Sequence, residues 1–280
     1  MNPPNPLRSN HRAQTCFSTL GTAELTFAET INLAVNCEMA AIEIRCLSGQ
    51  TIAPENFADL FPAPNDARHR LQTAKLELTG LGTSVKLFEA DPVDIDTLVE
   101  FARLADALNC PWLRVFDGGK IGEFLSDVTW AKTQSFVANW QERRRSLGLS
   151  ANIMVETHDG LTSIASAVQF RKLLPHTAIL WDSHHTWRAG GESLSGYFEA
   201  AREAIVHVHV KDSVPVASER KPFTYCIPGQ GDFPWAELGA LIKGSQFPGK
   251  LSLEWEKHWH PYLPPITEAI PPYHDILCGW

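Results

Sequence analysis

Four short apolar runs in the second half of the chain each end in a side chain able to ligate a metal or move a proton. Ile153-Met-Val-Glu156 leads into Thr157-His158, and Ala178-Ile-Leu-Trp-Asp182 leads into Ser183-His184-His185. Ile205-Val-His207-Val-His209-Val precedes Lys211-Asp212, and Leu251-Ser-Leu-Glu254 precedes Trp255-Glu256. One acidic residue after an apolar run is ordinarily a solvated loop residue or a helix cap. Repetition sets this group apart: the step from Glu156 to Asp182 is 26 residues and that from Asp182 to His209 is 27, one strand-helix unit each. The step from His209 to Glu254 is 45, one unit with an inserted loop around Ser213 to Pro234. Three carboxylates and an imidazole delivered at successive strand ends form a hard, oxygen-rich donor set. It suits one divalent metal ion, Mn2+ or Mg2+ first, with Co2+ or Zn2+ admitted, and it leaves coordination positions open for substrate oxygens.

A metal chelated by two adjacent oxygens of a hydroxy-ketone acidifies the carbon-bound proton between them and stabilises the enediolate that forms. Glu156 and Glu254 are then the acid/base pair. Acting on opposite substrate faces they would invert a stereocentre, and acting on one face they would shift a carbonyl. His158 has the strand parity of Glu156 and is expected to face the same cavity, as a substrate contact. His207 shares parity with His209 but lies deeper, so a hydrogen-bonded core histidine is its expected role. Lys86 and Arg114 lie inside apolar runs, where charges enter only when paired. They either bind an anionic substrate group or form an inward ion pair with Glu43. Trp187, Trp255 and Trp259 either wall a sugar-binding mouth or pack against helices. Asp232 is expected to fix the turn before the seventh helix.

The elements that must position these residues are legible as alternating apolar runs and helical periods, the mark of repeated strand-helix units around a parallel sheet. Strands are expected at Thr15 to Leu20, Ala41 to Cys46, Thr83 to Phe88, Trp112 to Phe116, Ile153 to Glu156, Ala178 to Asp182, Ile205 to Val210 and Leu251 to Trp255. Thr26 and Glu29 fit a capping box at the start of the first helix. Leu98, Phe101, Ala105 and Leu108 line one face of another. Further helices are expected over Ala67 to Thr79, Thr133 to Leu147, Ser163 to Leu174, Ser195 to Ala204 and Pro234 to Lys243. Pro264, Pro265, Pro271 and Pro272 confine the eighth to a short piece around Ile266 to Ile270. Eight such units in one chain predict an α/β fold, a single (β/α)8 TIM barrel over residues 15–280, with its active site at the C-terminal ends of the strands. No G-x-G-x-x-G turn follows the first strand, which disfavours a doubly wound sheet. Residues 1–14, proline-rich and polar, are expected to form a flexible N-terminal arm.

Composition narrows the partners. The chain has 280 residues, 44% of them hydrophobic, so a large core is within reach and disorder is excluded as the main state. Its 24 basic and 32 acidic side chains give a net charge of −8, and no basic run offsets it, which argues against nucleic acid. No apolar stretch is long enough for a membrane span and no signal peptide is visible. The six cysteines contain no C-x-x-C pair and fit a reduced, cytoplasmic setting. The expected partner is a small polyhydroxy carbonyl substrate, and a homo-oligomer is left open.

Trp181-Asp-Ser-His-His185-Thr, His209-Val-Lys-Asp212, Ile227-Pro-Gly-Gln-Gly-Asp232 and Leu251-Ser-Leu-Glu254-Trp-Glu together resemble the xylose isomerase-like TIM barrels of the sugar phosphate isomerase/epimerase group. The likeness spans most of Phe17 to Pro261. It implies a metal held by Glu156, Asp182, His209 and Glu254, the two glutamates as the acid/base pair, and His185 as a substrate contact. The arginine that ketose 3-epimerases place six residues beyond the metal-binding histidine is absent, leaving Arg220 or Lys221 to substitute from the inserted loop. The resemblance implies an isomerase or epimerase of a small sugar or polyol-derived hydroxy-ketone, with a dehydratase of an inosose-type substrate as the nearest alternative. Endonuclease IV-type DNA repair enzymes share the barrel, but Arg45-Cys46-Leu47 and Lys86-Leu87-Phe88 lack the histidines their three-zinc site requires. A non-catalytic sugar-binding module would not need two bases astride a metal.

Overall fold

The computed structural model describes residues 13–280, in which eight parallel strands close into a barrel. The strands are β1 (Thr15–Ser18), β2 (Ala41–Ile44), β3 (Glu77–Lys86), β4 (Trp112–Phe116), β5 (Asn152–Glu156), β6 (Ala178–Asp182), β7 (Ile205–Val210) and β8 (Lys250–Leu253). Consecutive strands pair in parallel, and β1 closes the ring by pairing with both β2 and β8. A helix follows each strand: α1 (Phe27–Asn36), α2 (Pro64–Ala74), α3 (Pro92–Leu108), α4 (Asp127–Ser146), α5 (Ile164–Leu173), α6 (Leu194–Ala201), α7 (Trp235–Ser245) and α8 (Ile266–Cys278). This is the expected (β/α)8 TIM barrel. Short antiparallel pairs decorate its carboxyl rim, one formed by Asp212–Val214 and Thr224–Cys226 within the inserted loop.

Local sequence explains most boundaries. Thr26 caps α1 through its hydroxyl, and Glu29 returns the bond to the Thr26 N–H, completing the capping box. Ser126 and Ser163 cap α4 and α5 through their hydroxyls, which accept the Thr129 and Ser166 N–H groups, so α4 begins six residues before the expected Thr133. Two expectations need larger correction. The third strand begins at Glu77 rather than Thr83, and α2 stops at Ala74, where Lys75 turns into the left-handed region at φ 54°. Gly80 and Gly82 disguise β3, because glycine is a poor strand former. Packing overrides propensity there: a Cβ on Gly80 would lie 2.9 Å from Met154 Cε, and one on Gly82 would lie 2.8 Å from Arg45 Cδ.

The eighth helix is also longer than expected, running 13 residues straight through Pro271 and Pro272. The two prolines forfeit bonds to the carbonyls of Thr267 and Glu268, but both of those residues are exposed and water can take the freed acceptors. Ile266, Ala269, Ile270, Tyr273 and Leu277 hold the opposite face in the core.

Of the expected N-terminal arm, residues 1–12 lie outside the described residues. Gln14 joins the barrel base, where its carbonyl accepts the Leu251 N–H at 2.9 Å. Lys250 Nζ donates to the Ala13 carbonyl at 2.6 Å. Among the described residues no helix is long and apolar enough to cross a membrane. All six cysteines are free thiols.

Candidate metal and acid/base site

The arc β5-β6-β7-β8 carries the four predicted donors on adjacent strands. Glu156 and Asp182 are the last residues of β5 and β6, His209 is the penultimate residue of β7, and Glu254 follows β8 directly. Cross-strand bonds hold these ends in register. Thr157 Oγ1 accepts the Asp182 N–H at 2.9 Å, Ser183 Oγ donates to the His209 carbonyl at 2.8 Å, and the Glu254 N–H reaches the Val210 carbonyl at 3.1 Å. One donor atom from each of Glu156, Asp182, His209 and Glu254 lies within 4.8 Å of those of the other three, and all four residues are buried.

Each donor is aimed by a second contact. Asp182 Oδ1 accepts the N–H groups of His184 and His185 at 3.0 and 2.9 Å, which leaves Oδ2 facing the cluster. Glu43, from β2 across the barrel, lies 2.8 Å from His209 Nε2 and 2.8 Å from His207 Nε2. An Nε2–H bonded to that carboxylate leaves His209 Nδ1 as the ligating nitrogen, 3.3 Å from Glu156 Oε1 and 3.2 Å from Glu254 Oε2. His207 is thus the expected hydrogen-bonded core histidine.

Glu156 Oε2, Asp182 Oδ2 and His209 Nδ1 are all buried without a well-formed hydrogen bond. Ion-pair contacts compensate in part: Arg114 Nε lies 3.2 Å from Glu156 Oε2, and Lys211 Nζ lies 2.8 Å from Asp182 Oδ2. Lys211 also touches Glu254 and sits 2.8 Å from Glu256 Oε1. Burial opposes the Lys211 charge, but Asp182, Glu254 and Glu256 outweigh it and hold its pKa well above the ordinary value. Burial opposes ionisation of Glu254 too, yet His209 and Lys211 keep its carboxyl well below the usual range. For Asp182 burial wins, pushing it up to about 6 against the pull of Lys211. Three converging buried donor atoms without a well-formed hydrogen bond, with one carboxylate left under-compensated, fit a divalent cation.

Two further donor groups are engaged elsewhere. Glu43 and His207 share His209 with the main cluster. Asp117, grouped with His158 and Asp159, spends its carboxylate on the N–H groups of Gly118, His158, Asp159 and Leu161, tying the loop after β5 to the end of β4.

The predicted substrate contacts lie beside the cluster. The His185 and His158 rings meet edge to face at 4.5 Å, and His158 meets Phe116 at 5.1 Å. His185 Nδ1 is 3.0 Å from Asp182 Oδ2, whereas its Nε2 is buried with no partner. His158 Nδ1 pairs with Asp159 at 3.0 Å. Phe223 and Tyr225 of the inserted loop pack on His184 at 5.2 and 5.3 Å and cover this side of the site.

Several secondary expectations are corrected. Arg114 pairs with Glu156 rather than Glu43, because it sits opposite Met154 in the strand register and reaches one layer toward the mouth. Lys86 lies at the surface, half exposed and paired with Glu89. Asp212, not Asp232, organises the turn before α7: it accepts the N–H groups of Ser213, Gly229, Gly231 and Phe233 and the indole of Trp235. Arg220 is exposed and donates to the Trp259 carbonyl. Trp255 is buried with its indole on the Pro264 carbonyl, and Trp259 is partly exposed beside His258. Trp187 packs among His184 and Phe233 under Arg188.

Comparison with known proteins agrees with the barrel fold. No curated protein sequence matches the chain. Among solved structures, the IolI protein with a bound zinc atom superposes with a TM-score of 0.74 at 16% identity, covering 95% of this chain and 99% of that one. The probable 3-DHS dehydratase AsbF of Bacillus anthracis gives 0.71 at 17% identity, over 95% and 96% of the two chains. The 3-keto-D-glucoside 4-epimerase YcjR of E. coli gives 0.65 at 12% identity, over 94% and 98%. At these identities the likeness is one of fold. The profile of the xylose isomerase-like TIM barrel family, however, matches residues 31–271, from the first helix to the eighth, and the chain therefore belongs to that family.

Proposed function

We propose that this protein is a divalent-metal-dependent isomerase or epimerase of a small polyhydroxy carbonyl compound. The observation that carries the reading is the convergence of Glu156, Asp182, His209 and Glu254 within 4.8 Å, with the two glutamates on the outer strands of the arc. These four residues would hold one ion, Mn2+ or Mg2+ by the hardness of three carboxylates. Such an ion supplies polarisation of adjacent hydroxyl and carbonyl oxygens, which acidifies the C–H between them.

The remaining work falls to the chain's own groups. Glu156 is held ionised by Arg114 and His209 despite its burial and the nearby Glu254, as a base requires. Glu254 is kept ionised by His209 and Lys211. One glutamate takes the carbon-bound proton and the other returns a proton, to the opposite face for epimerisation or to a neighbouring atom for carbonyl transfer. The partnerless Nε2 of His185 and the neighbouring His158 are placed to orient substrate hydroxyls. The buried setting of the donors excludes water from the reacting carbon.

The test is deuterium wash-in from D2O, followed by NMR over a panel of ketoses, inososes and hydroxypyruvate. Wild type is expected to exchange a carbon-bound proton of at least one of them. Glu156→Gln and Glu254→Gln, which keep size and one ligating oxygen, are expected to lose about 10²- to 10⁴-fold in rate. Loss of water from the substrate in place of simple exchange would identify a dehydratase on the same site. Wild-type exchange rates in both variants, with metal retained, would reduce the glutamates to ligands.

A further inference from the structure

A pair of buried arginines stands beside this site, and one of the two has no carboxylate within ion-pair distance among the described residues. Arg45 follows β2 and Arg114 lies in β4, and both side chains enter the barrel over Gly82 of β3, the strand between them. A Cβ at position 82 would lie 2.8 Å from Arg45 Cδ and 3.0 Å from Arg114 Nη2, so the glycine is what admits both. The guanidinium carbons lie 5.8 and 3.9 Å from the centre of the Phe116 ring, whose other neighbour is His158. With Glu43 and His209 both arginines border a cavity of about 10 Å³, room for a single water and not for a substrate group.

Arg114 has a carboxylate partner in Glu156 and donates to the Thr83 carbonyl at 3.0 Å. Arg45 donates only to neutral groups, the Gly82 carbonyl and Ser84 Oγ, both at 3.0 Å. Among the described residues no carboxylate lies within ion-pair distance of it. A guanidinium carries five N–H donors, so more than half of Arg45's remain uncommitted, and none of its nitrogens is both sealed in protein and unpaired. Burial, then the neighbouring Arg114, push its pKa down to about 9, against the opposing pull of Cys46, Glu156 and Glu254. Two guanidiniums, one just beyond β2 and one in β4, each held by a backbone carbonyl, form a preorganised fork of the kind that binds oxyanions bidentately.

We propose that Arg45 and Arg114 bind an oxyanion group on the substrate, so that this protein acts on an anionic hydroxy-ketone rather than a neutral sugar. The inference rests on the proposed metal-assisted proton transfer for its reacting end and adds the recognition of the far end. The oxyanion is a carboxylate or a phosphate ester, two sources that the experiment separates.

Three probes share one hydroxy-ketone and differ only at the third carbon: dihydroxyacetone is neutral, hydroxypyruvate ends in a carboxylate, and dihydroxyacetone phosphate ends in a phosphate ester. Their binding to metal-loaded wild type and Arg45→Met is measured by calorimetry, with metal content and melting temperature checked in each protein. Wild type is expected to bind one anionic probe about tenfold or more tightly than dihydroxyacetone, and Arg45→Met to bring that preference to within about twofold. Tight hydroxypyruvate assigns a carboxylate, and tight dihydroxyacetone phosphate assigns a phosphate. Arg45→Lys, which keeps the charge but not the fork, is expected to retain part of the preference, and it decides the matter if Arg45→Met does not fold. No anionic preference in wild type, no binding of either anionic probe, or equal weakening of all three probes in Arg45→Met overturns the proposal. Exchange of neutral ketoses in D2O without anionic preference would leave the proton-transfer reading standing alone. Selective anion binding without any exchange would do the reverse.

Discussion

Glu43 touches no predicted ligand atom, yet it decides which nitrogen of His209 faces the metal site. Its carboxylate holds the Nε2 atoms of His209 and His207 together at the centre of the barrel. Burial would raise its pKa, but the two histidines hold it well below the ordinary value, so it stays an acceptor. Glu43→Gln keeps the shape and replaces one acceptor oxygen with a donor, which frees His209 to turn or change tautomer. Removing such an orienting carboxylate typically costs roughly 10- to 100-fold in metal affinity. Competition with a fluorescent chelator is expected to show a loss of that order in Glu43→Gln with the fold intact by circular dichroism. Unchanged affinity would mean that His209 is oriented by β7 alone.

At the scale of elements, the inserted loop between β7 and α7 depends on one side chain. Asp212 gathers four backbone N–H groups and the Trp235 indole, drawing residues 213–233 into a folded cover whose Phe223 and Tyr225 reach His184. Gly231 runs so close to this carboxylate that a Cβ there would collide with it. Each buried donor left without a partner costs about 1–3 kcal/mol. Asp212→Ala, which leaves several of them unmet, is expected to lose roughly 3 kcal/mol or more in urea unfolding and to become sensitive to protease within the loop. A variant as stable and as resistant as wild type would show that the aromatic packing alone holds the cover.

Across the whole molecule, the barrel and its chemical mouth were legible because both follow period. Trp112 to Phe116, Ala178 to Asp182 and Ile205 to Val210 have the observed strand bounds, since dense apolar runs end abruptly at polar residues. One unit per ligand predicted adjacent strand ends, and the four donors do converge. What stayed hidden depends on distant partners. Gly80 and Gly82 read as breaks until Met154 and the arginines fill the space above them. The role of Glu43 depends on histidines 164 and 166 residues away, and Arg114 finds Glu156 only through the stagger of β4 against β5. Pro271 and Pro272 stop a helix on local grounds and are tolerated because the carbonyls they free belong to exposed residues. Lys211 lies in the His209-Val-Lys-Asp212 run, but only the fold reveals that it stands among three carboxylates.

The reading as a whole rests on one ion bound by the four convergent donors. The direct measurement is elemental analysis of wild type and Asp182→Ala after each is loaded with Mn2+ and passed through a desalting column. Asp182 belongs to no other donor group, so its loss tests this site and not the Glu43 group. The expected result is one ion per chain in wild type, and in Asp182→Ala a loss of most of that metal with the barrel still folded. Full metal content in Asp182→Ala, or none in loaded wild type, would contradict the account.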